Sequence, residues 1–137
     1  MTIVISNDRS LIEFERLNNF IQNAYWAEGR TTETIKAAID GSLCFVALEG
    51  DQQVGFARVI TDGATLAYVC DVIVFEEFRG RGISRLLVES ILDHPQLKSV
   101  EVVMLATRDA HGLYAKYGFQ PVVDTSKYMR LIRDQSR

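Results

Sequence analysis

Phe78-Arg79-Gly80-Arg81-Gly82-Ile83-Ser84 is the stretch on which the reading of this 137-residue chain turns. Before it lies an almost continuously apolar run, Leu66 to Phe75. After it, Ile83, Leu86, Leu87 and Ile91 fall at helical spacing. The stretch therefore joins a strand buried on both faces to an amphipathic helix. Glycines at 80 and 82 let the backbone turn tightly and lie close to a ligand. The first amides of a helix have no partner inside it and carry the positive end of its dipole. Arg79 and Arg81 add positive charge. Together these features make a pyrophosphate cradle; the alternative is a plain helix start with solvated arginines.

Other phosphate and nucleophile patterns fail on single residues. Arg85 stands where the dinucleotide fingerprint needs its third glycine, and no Gly-Lys-Ser/Thr is present for a Walker loop. Leu86 replaces the second glycine of a nucleophile elbow around Ser84.

Working outward, Thr2 to Ile5 reads as a short strand. Ser10 with Glu13 looks like a capping box, and Phe14, Leu17, Ile21 and Ala24 predict a helix to about Trp26. Thr31 or Thr32 can cap a second helix carrying Ile35, Ala38 and Ile39, closed by Gly41 as a left-handed cap. Leu43 to Leu48, Gln53 to Thr61 and Leu66 to Phe75 then form an antiparallel meander, with Asp62-Gly63 as a hairpin signal. The helix after the glycine loop stops near His94-Pro95. Ser99 to Ala106 is another buried strand, so strand, helix and strand make a βαβ unit with parallel strands. Asp109 can cap a last helix through Tyr117, closed by Gly118, and Pro121 to Ile132 reads as one or two final strands. The fold class is α+β in α/β/α layers, with a mixed, mainly antiparallel sheet and helices on both faces.

The length suits one domain over residues 1–137. Hydrophobic residues make up 47% and charged residues 24%, which excludes overall disorder. The net charge of −3 disfavours a general nucleic-acid binder. No apolar run reaches the roughly 18–20 residues that span a bilayer, so no membrane role is expected. Met1-Thr2-Ile3-Val4-Ile5-Ser6 lacks the basic and apolar regions of a secretory leader. Cys44 and Cys70 form neither a disulfide framework nor a zinc spacing, and suit a reducing cytoplasm. With His94 and His111 they do not assemble a metal site, so no metal is expected.

Arg79-Gly80-Arg81-Gly82-Ile83-Ser84 resembles the main signature of the GNAT superfamily of acyl-CoA-dependent N-acetyltransferases, Arg/Gln-x-x-Gly-x-Gly/Ala. It matches at the first and fourth positions, and Ser84 departs at the last with another small residue. A second resemblance lies downstream. Thr107, Ala110, Leu113, Tyr114, Lys116, Gly118 and Phe119 follow the family's Asn-x-x-Ala-x-x-Leu/Phe-Tyr-x-Lys-x-Gly-Phe, with Thr107 in place of the asparagine. The element order fits from Ile3 to Ile132. The resemblance implies a sheet splayed between its fourth and fifth strands, with the pantetheine arm of acetyl-CoA against Val72, Ile73 and Val74. It places the pyrophosphate on the amides of residues 79 to 84. It also implies transfer of acetyl directly to a primary amine of a small molecule or peptide. A non-catalytic acyl-CoA-binding or sensor module is the alternative. Homodimers occur in the family, partly through the C-terminal strands, and this sequence leaves self-association open.

By the same resemblance Tyr114 is the acid that protonates the departing sulfur, and a backbone N–H near Val74 polarises the thioester carbonyl. Asp71 is a carboxylate inside an apolar strand. Such a group needs a partner or a shifted pKa, so it is read as the general base or as a structural hydrogen-bond anchor. Tyr68 on the same strand can line the acceptor cleft; Tyr25 and Trp26 at the end of the first helix either line that cleft and set acceptor choice or belong partly to the core, and Arg30 follows in the same segment. Glu28 and Asp62 read as solvated charges in loops, His111 as a surface residue, and Cys70 as inert packing.

Overall fold

The computed structural model describes residues 2–27 and 29–133. Glu28 lies outside the described residues. The chain forms two compact units, one running to Ala106 and one beginning at Thr107.

The first unit is built on a five-stranded sheet in the order β1 (Ile3–Ser6), β2 (Leu43–Glu49), β3 (Gln52–Thr61), β4 (Leu66–Val74) and β5 (Val102–Leu105). Neighbours are antiparallel except β4 and β5, which run parallel. The parallel pair is joined through α3 (Ile83–Asp93), as the βαβ reading requires. Side chains alternate across a strand, and the two faces bury different helices. Ile83, Leu87 and Ile91 of α3 pack with Phe45, Ala47 and Val59. On the other face, Leu17 and Ile21 of α1 (Phe14–Gln22) and Ile35 and Ile39 of α2 (Thr32–Asp40) pack with Cys44, Phe56 and Ile73.

Two irregularities shape β4. Its pairing with β5 ends at Val69 opposite Leu105, although β4 runs on to Val74. Its register with β3 slips between Phe56, opposite Ile73, and Arg58, opposite Cys70. Two residues, Asp71 and Val72, therefore stand against Ala57 alone, which is a β-bulge. Asp71 has φ of 50°, the only left-handed non-glycine among the described residues.

Several local expectations are corrected. Ser10 does not cap α1: it sits in a 3-10 turn, where its N–H donates to Asp8 Oδ1 at 2.9 Å. Glu13 instead accepts from the Gln53 N–H at 2.8 Å, while its own N–H donates to Gln53 Oε1 at 2.7 Å. That reciprocal pair staples the start of α1 to β3 and leaves no carboxylate for a capping box. The helix expected to reach Trp26 ends at Gln22 and is followed by a 3-10 turn over Tyr25–Ala27. Thr31 caps α2 as expected, accepting from the Thr34 N–H. Gly41, however, has φ of −91° and not the left-handed value. The Ser42 hydroxyl donates to the Ala38 carbonyl at 2.6 Å and satisfies the helix end without it.

In the second unit, α4 (His111–Ala115) starts at Ala110 without a side-chain cap, so Asp109 does not serve as one. The Ala110 N–H donates to Thr107 Oγ1 at 3.0 Å. Gly118, with φ of 93°, closes the turn beyond α4. Pro121 to Ile132 forms no strand. Asp124 takes the N–H and hydroxyl of Ser126, and the Tyr128 N–H donates to the Thr125 carbonyl, so local bonds replace a ladder.

Gly55 tests how tightly the first unit is closed. A Cβ there would lie 2.8 Å from the Ile73 carbonyl oxygen and 3.2 Å from Ile83 Cγ2. Gly55→Ala is expected to lower unfolding free energy by about 2 kcal/mol, read from the urea midpoint. An unchanged midpoint would mean that β3 and β4 separate more easily than the packing implies.

Candidate active site

The glycine loop lies between the bulged strand and α3. Gly80 and Gly82 both have positive φ, 81° and 76°. Each conformation is strained for an L side chain, which is why this turn takes glycine. Gly82 is the N-cap of α3 and brings no side chain to it. The amides of Ile83, Ser84 and Arg85 have no carbonyl four residues back inside the helix. A Cβ on Gly80 would meet nothing within 4 Å, so the backbone there borders open space.

That space is a cavity of about 320 Å³. Val72, Ile73 and Val74 line it from β4; Arg79, Gly80, Gly82, Ile83 and Ser84 from the loop and α3; Phe20, Trp26 and Phe78 complete the wall. The cavity thus joins the stretch of β4 beyond its pairing with β5 to the uncapped helix start. Eight of the nine residues expected to hold the cofactor line it, as does Trp26. Arg81, Tyr25 and Tyr68 do not border it. Arg81 instead pairs with Glu49 at the end of β2, and that guanidinium holds the Glu49 carboxyl below its usual range. Arg79 is exposed and its Nε donates to the Val74 carbonyl at 3.4 Å. Tyr68 and Tyr25 are exposed, and Tyr25 packs edge-on against Trp26 at 5.4 Å.

Asp71 stands at the bulge beside this wall. Its side chain is 4% exposed. Oδ2 accepts from Arg58 Nε at 2.6 Å, and Oδ1 accepts from Trp26 Nε1 at 3.0 Å. Arg30 Nη1 lies 3.9 Å from Oδ1. A non-glycine residue in this backbone region costs about 1–2 kcal/mol, so the surrounding contacts hold it there. Cys70, next in the chain, has its thiol pushed up by burial. Asp62 makes the hairpin turn: Oδ2 accepts from the Thr65 hydroxyl at 2.6 Å and Oδ1 from the Ala64 and Thr65 amides, each at 2.8 Å, and these bonds hold its carboxyl far below the usual range.

Within the second unit, Tyr114 is 8% exposed and packs edge-on against Phe119 at 5.7 Å. Burial pushes its phenol up. His111 is exposed. Among the described residues, no group of three or more His, Cys, Asp or Glu could hold a metal ion, and no helix is long and apolar enough to cross a membrane.

Residues 40–121 match the acetyltransferase (GNAT) domain family. The chain belongs to the GNAT acetyltransferase family. A solved structure of a candidate GNAT acetyltransferase from Xanthomonas campestris pv. campestris is 40% identical, with a TM-score of 0.92 over 97% of this chain and 94% of that one. A GNAT family acetyltransferase from Streptococcus pneumoniae TIGR4 is 28% identical, with a TM-score of 0.67 over 99% of this chain and 98% of that one. A candidate acetyltransferase from Gibberella zeae is 28% identical over 82% of this chain and 76% of its own length. The GNAT assignment and the mixed sheet, opened between β4 and β5, agree with the sequence reading.

Sequence reading missed Phe20 and Phe78 in the wall, and Arg58 as the partner of Asp71. The last was available: Arg58 and Asp71 are the lone charges of two adjacent strands.

The raised phenol of Tyr114 has a measurable sign. The folded chain keeps this proton to higher pH than the unfolded chain, whose tyrosines titrate near pH ~10. The stability contributed by the neutral phenol is therefore fully present below pH ~10 and is lost as pH rises beyond it. Urea unfolding of the parent and of Tyr114→Phe should differ by a constant amount from pH 7 to 9. Above about pH 10 the parent should lose stability relative to the variant. A difference that stays flat through that range would mean that Tyr114 is solvated.

Proposed function

We propose that this GNAT family member is an N-acetyltransferase that moves acetyl from acetyl-CoA directly to a primary amine of a small molecule or peptide. The observation that carries the reading is one cavity. It combines a strand stretch that pairs with no strand on one side among the described residues with a helix start, behind two left-handed glycines, that has no side-chain cap. The first suits an extended amide-bearing arm, which pairs with backbone as a strand would. The second suits a pyrophosphate, through oriented amides and the helix dipole. Both belong to acetyl-CoA, which supplies an activated acetyl group on a thiol leaving group.

Val72, Ile73 and Val74 would hold the arm, and the loop from Arg79 to Ser84 the phosphates. Arg79 is the arginine on hand, since Arg81 is engaged by Glu49. A backbone N–H near Val74 would donate to the thioester oxygen and favour the charge that develops there. Tyr114 would keep its proton at Oη until the sulfur leaves. A phenol is protonated at neutral pH even at its ordinary pKa of ~10, as a general acid must be, and burial pushes in the same direction. Trp26, with Tyr25 and Tyr68, would face the acceptor. The free cysteines, Cys44 and Cys70, suit the cytoplasm as the place of action.

Calorimetric titration with acetyl-CoA, with NAD as the control, tests the cradle. Acetyl-CoA should bind and NAD should not. Gly82→Val should weaken acetyl-CoA binding at least ~10-fold, since a β-branched residue opposes the left-handed turn. Tyr114→Phe should leave that affinity unchanged and lower thiol release to an amine panel ~100-fold. Binding without turnover on any amine would favour the acyl-CoA-binding module.

A further inference from the structure

Asp71 is the group whose surroundings depart furthest from the role its type suggests. An amine seeking a base must reach a carboxylate oxygen. Here one oxygen accepts from Arg58 at 2.6 Å and the other from Trp26 at 3.0 Å, with Arg30 at 3.9 Å, and the side chain is 4% exposed. Each oxygen keeps a further lone pair, but with so little of the side chain exposed a substrate would have to move these neighbours aside to reach it. We propose that Asp71 is a positioning residue: its carboxylate locks the bulge of β4 and seats Trp26 in the cavity wall. The catalytic consequence rests on the acetyl-transfer reading above.

The network ties separate chain segments to one point. Asp71 sits on β4 and Arg58 on β3, while Trp26 and Arg30 come from the segment between α1 and α2. Arg58 Nη1 also donates to the Ser42 hydroxyl at 3.2 Å, and Ser42 donates to the Ala38 carbonyl near the end of α2. The left-handed backbone of Asp71 is thereby held from several directions.

What it holds is register. Beyond the bulge, Ile73 pairs with Phe56 and Val74 with Gly55. A one-residue slip of β4 would turn Val72, Ile73 and Val74 to opposite faces of the sheet. Those residues form one side of the cavity, and Trp26, held by the same carboxylate, forms another part of its wall. Asp71 acts on the site through both without touching a substrate.

Trp26 is the single tryptophan of the chain and reports its own seat. Asp71→Asn keeps the size but removes the charge and sets an amide nitrogen against one of the donors. Asp71→Gly keeps the left-handed backbone and removes the carboxylate, so it separates the clamp from the turn. Trp26 is 41% exposed in the parent, and in the ligand-free protein both variants should red-shift its emission further and raise its quenching by acrylamide, the seat being lost. In turnover of acetyl-CoA with an amine panel, Asp71→Asn and Trp26→Phe should each lower kcat/KM ~10-fold or more, through misplacement of the wall. The double variant should be no worse than Asp71→Asn alone, as expected of groups acting as one unit. The pH–rate profile of Asp71→Asn should keep the parent's acidic limb.

Loss of that limb would make Asp71 the base and overturn the proposal. Unchanged emission and quenching in both variants, or multiplicative losses in the double variant, would also overturn it. If the parent turns over no amine, acetyl transfer fails as the reading, while emission and quenching still decide the clamp. If the Asp71 variants do not fold, Trp26→Phe decides: an undiminished kcat/KM would refute a role exerted through its seat.

Discussion

Backbone N–H and C=O groups that a sheet leaves unpaired must be satisfied by something else, and β4 ends in a run of them. Its ladder with β5 stops at Val69, yet the strand continues to Val74. On that side, alternate residues direct polar groups away from β3. Much of the rest of the first unit supports this open stretch. β3 pairs with its other side, Gly55 allows the close approach there, and α3 covers one face. Pairing through to Val74 would fill the gap with a fifth strand and leave no place for an extended ligand.

The bulge is the second half of the same arrangement. A regular β4 could not both pair with β3 up to Cys70 opposite Arg58 and present its last residues in the observed register. One extra residue resolves this, and that residue is an aspartate with a buried side chain where glycine would be less strained. The choice makes sense once its partners are counted. Glycine supplies the turn alone, whereas aspartate also supplies an anchor between two arginines and an indole. The turn, the register and the cavity wall thus depend on one carboxylate.

The parts of this architecture legible in the sequence were those governed by periodicity or by glycine. The meander, the βαβ unit and the loop from Arg79 to Ser84 follow from apolar spacing and from two glycines that need left-handed backbone. What was not legible depended on choices among competing hydrogen bonds. Glu13 had a capping role open to it, but Gln53, forty residues away, offered a reciprocal pair. Gly41 had the freedom for a left-handed cap, but the Ser42 hydroxyl met the need. Val122, Val123, Met129 and Leu131 read as strand residues, but Asp124 and Thr125 bend the chain between them, and these side chains stay exposed. Asp71 was visible as an anomaly, and both its readings were open until Arg58 and Trp26 were placed beside it.

The pairing of Arg81 with Glu49 bears on selectivity among anions. An arginine already neutralised by a carboxylate adds little attraction for a small anion drifting past the loop. Inorganic phosphate or sulfate would meet Arg79 and a few helix amides, and would have to displace Glu49 to gain more. A larger ligand that also lies along β4 draws on contacts those ions cannot make. On the proposed reading, a ligand with an arm along β4 would outcompete simple anions through those added contacts and not through Arg81.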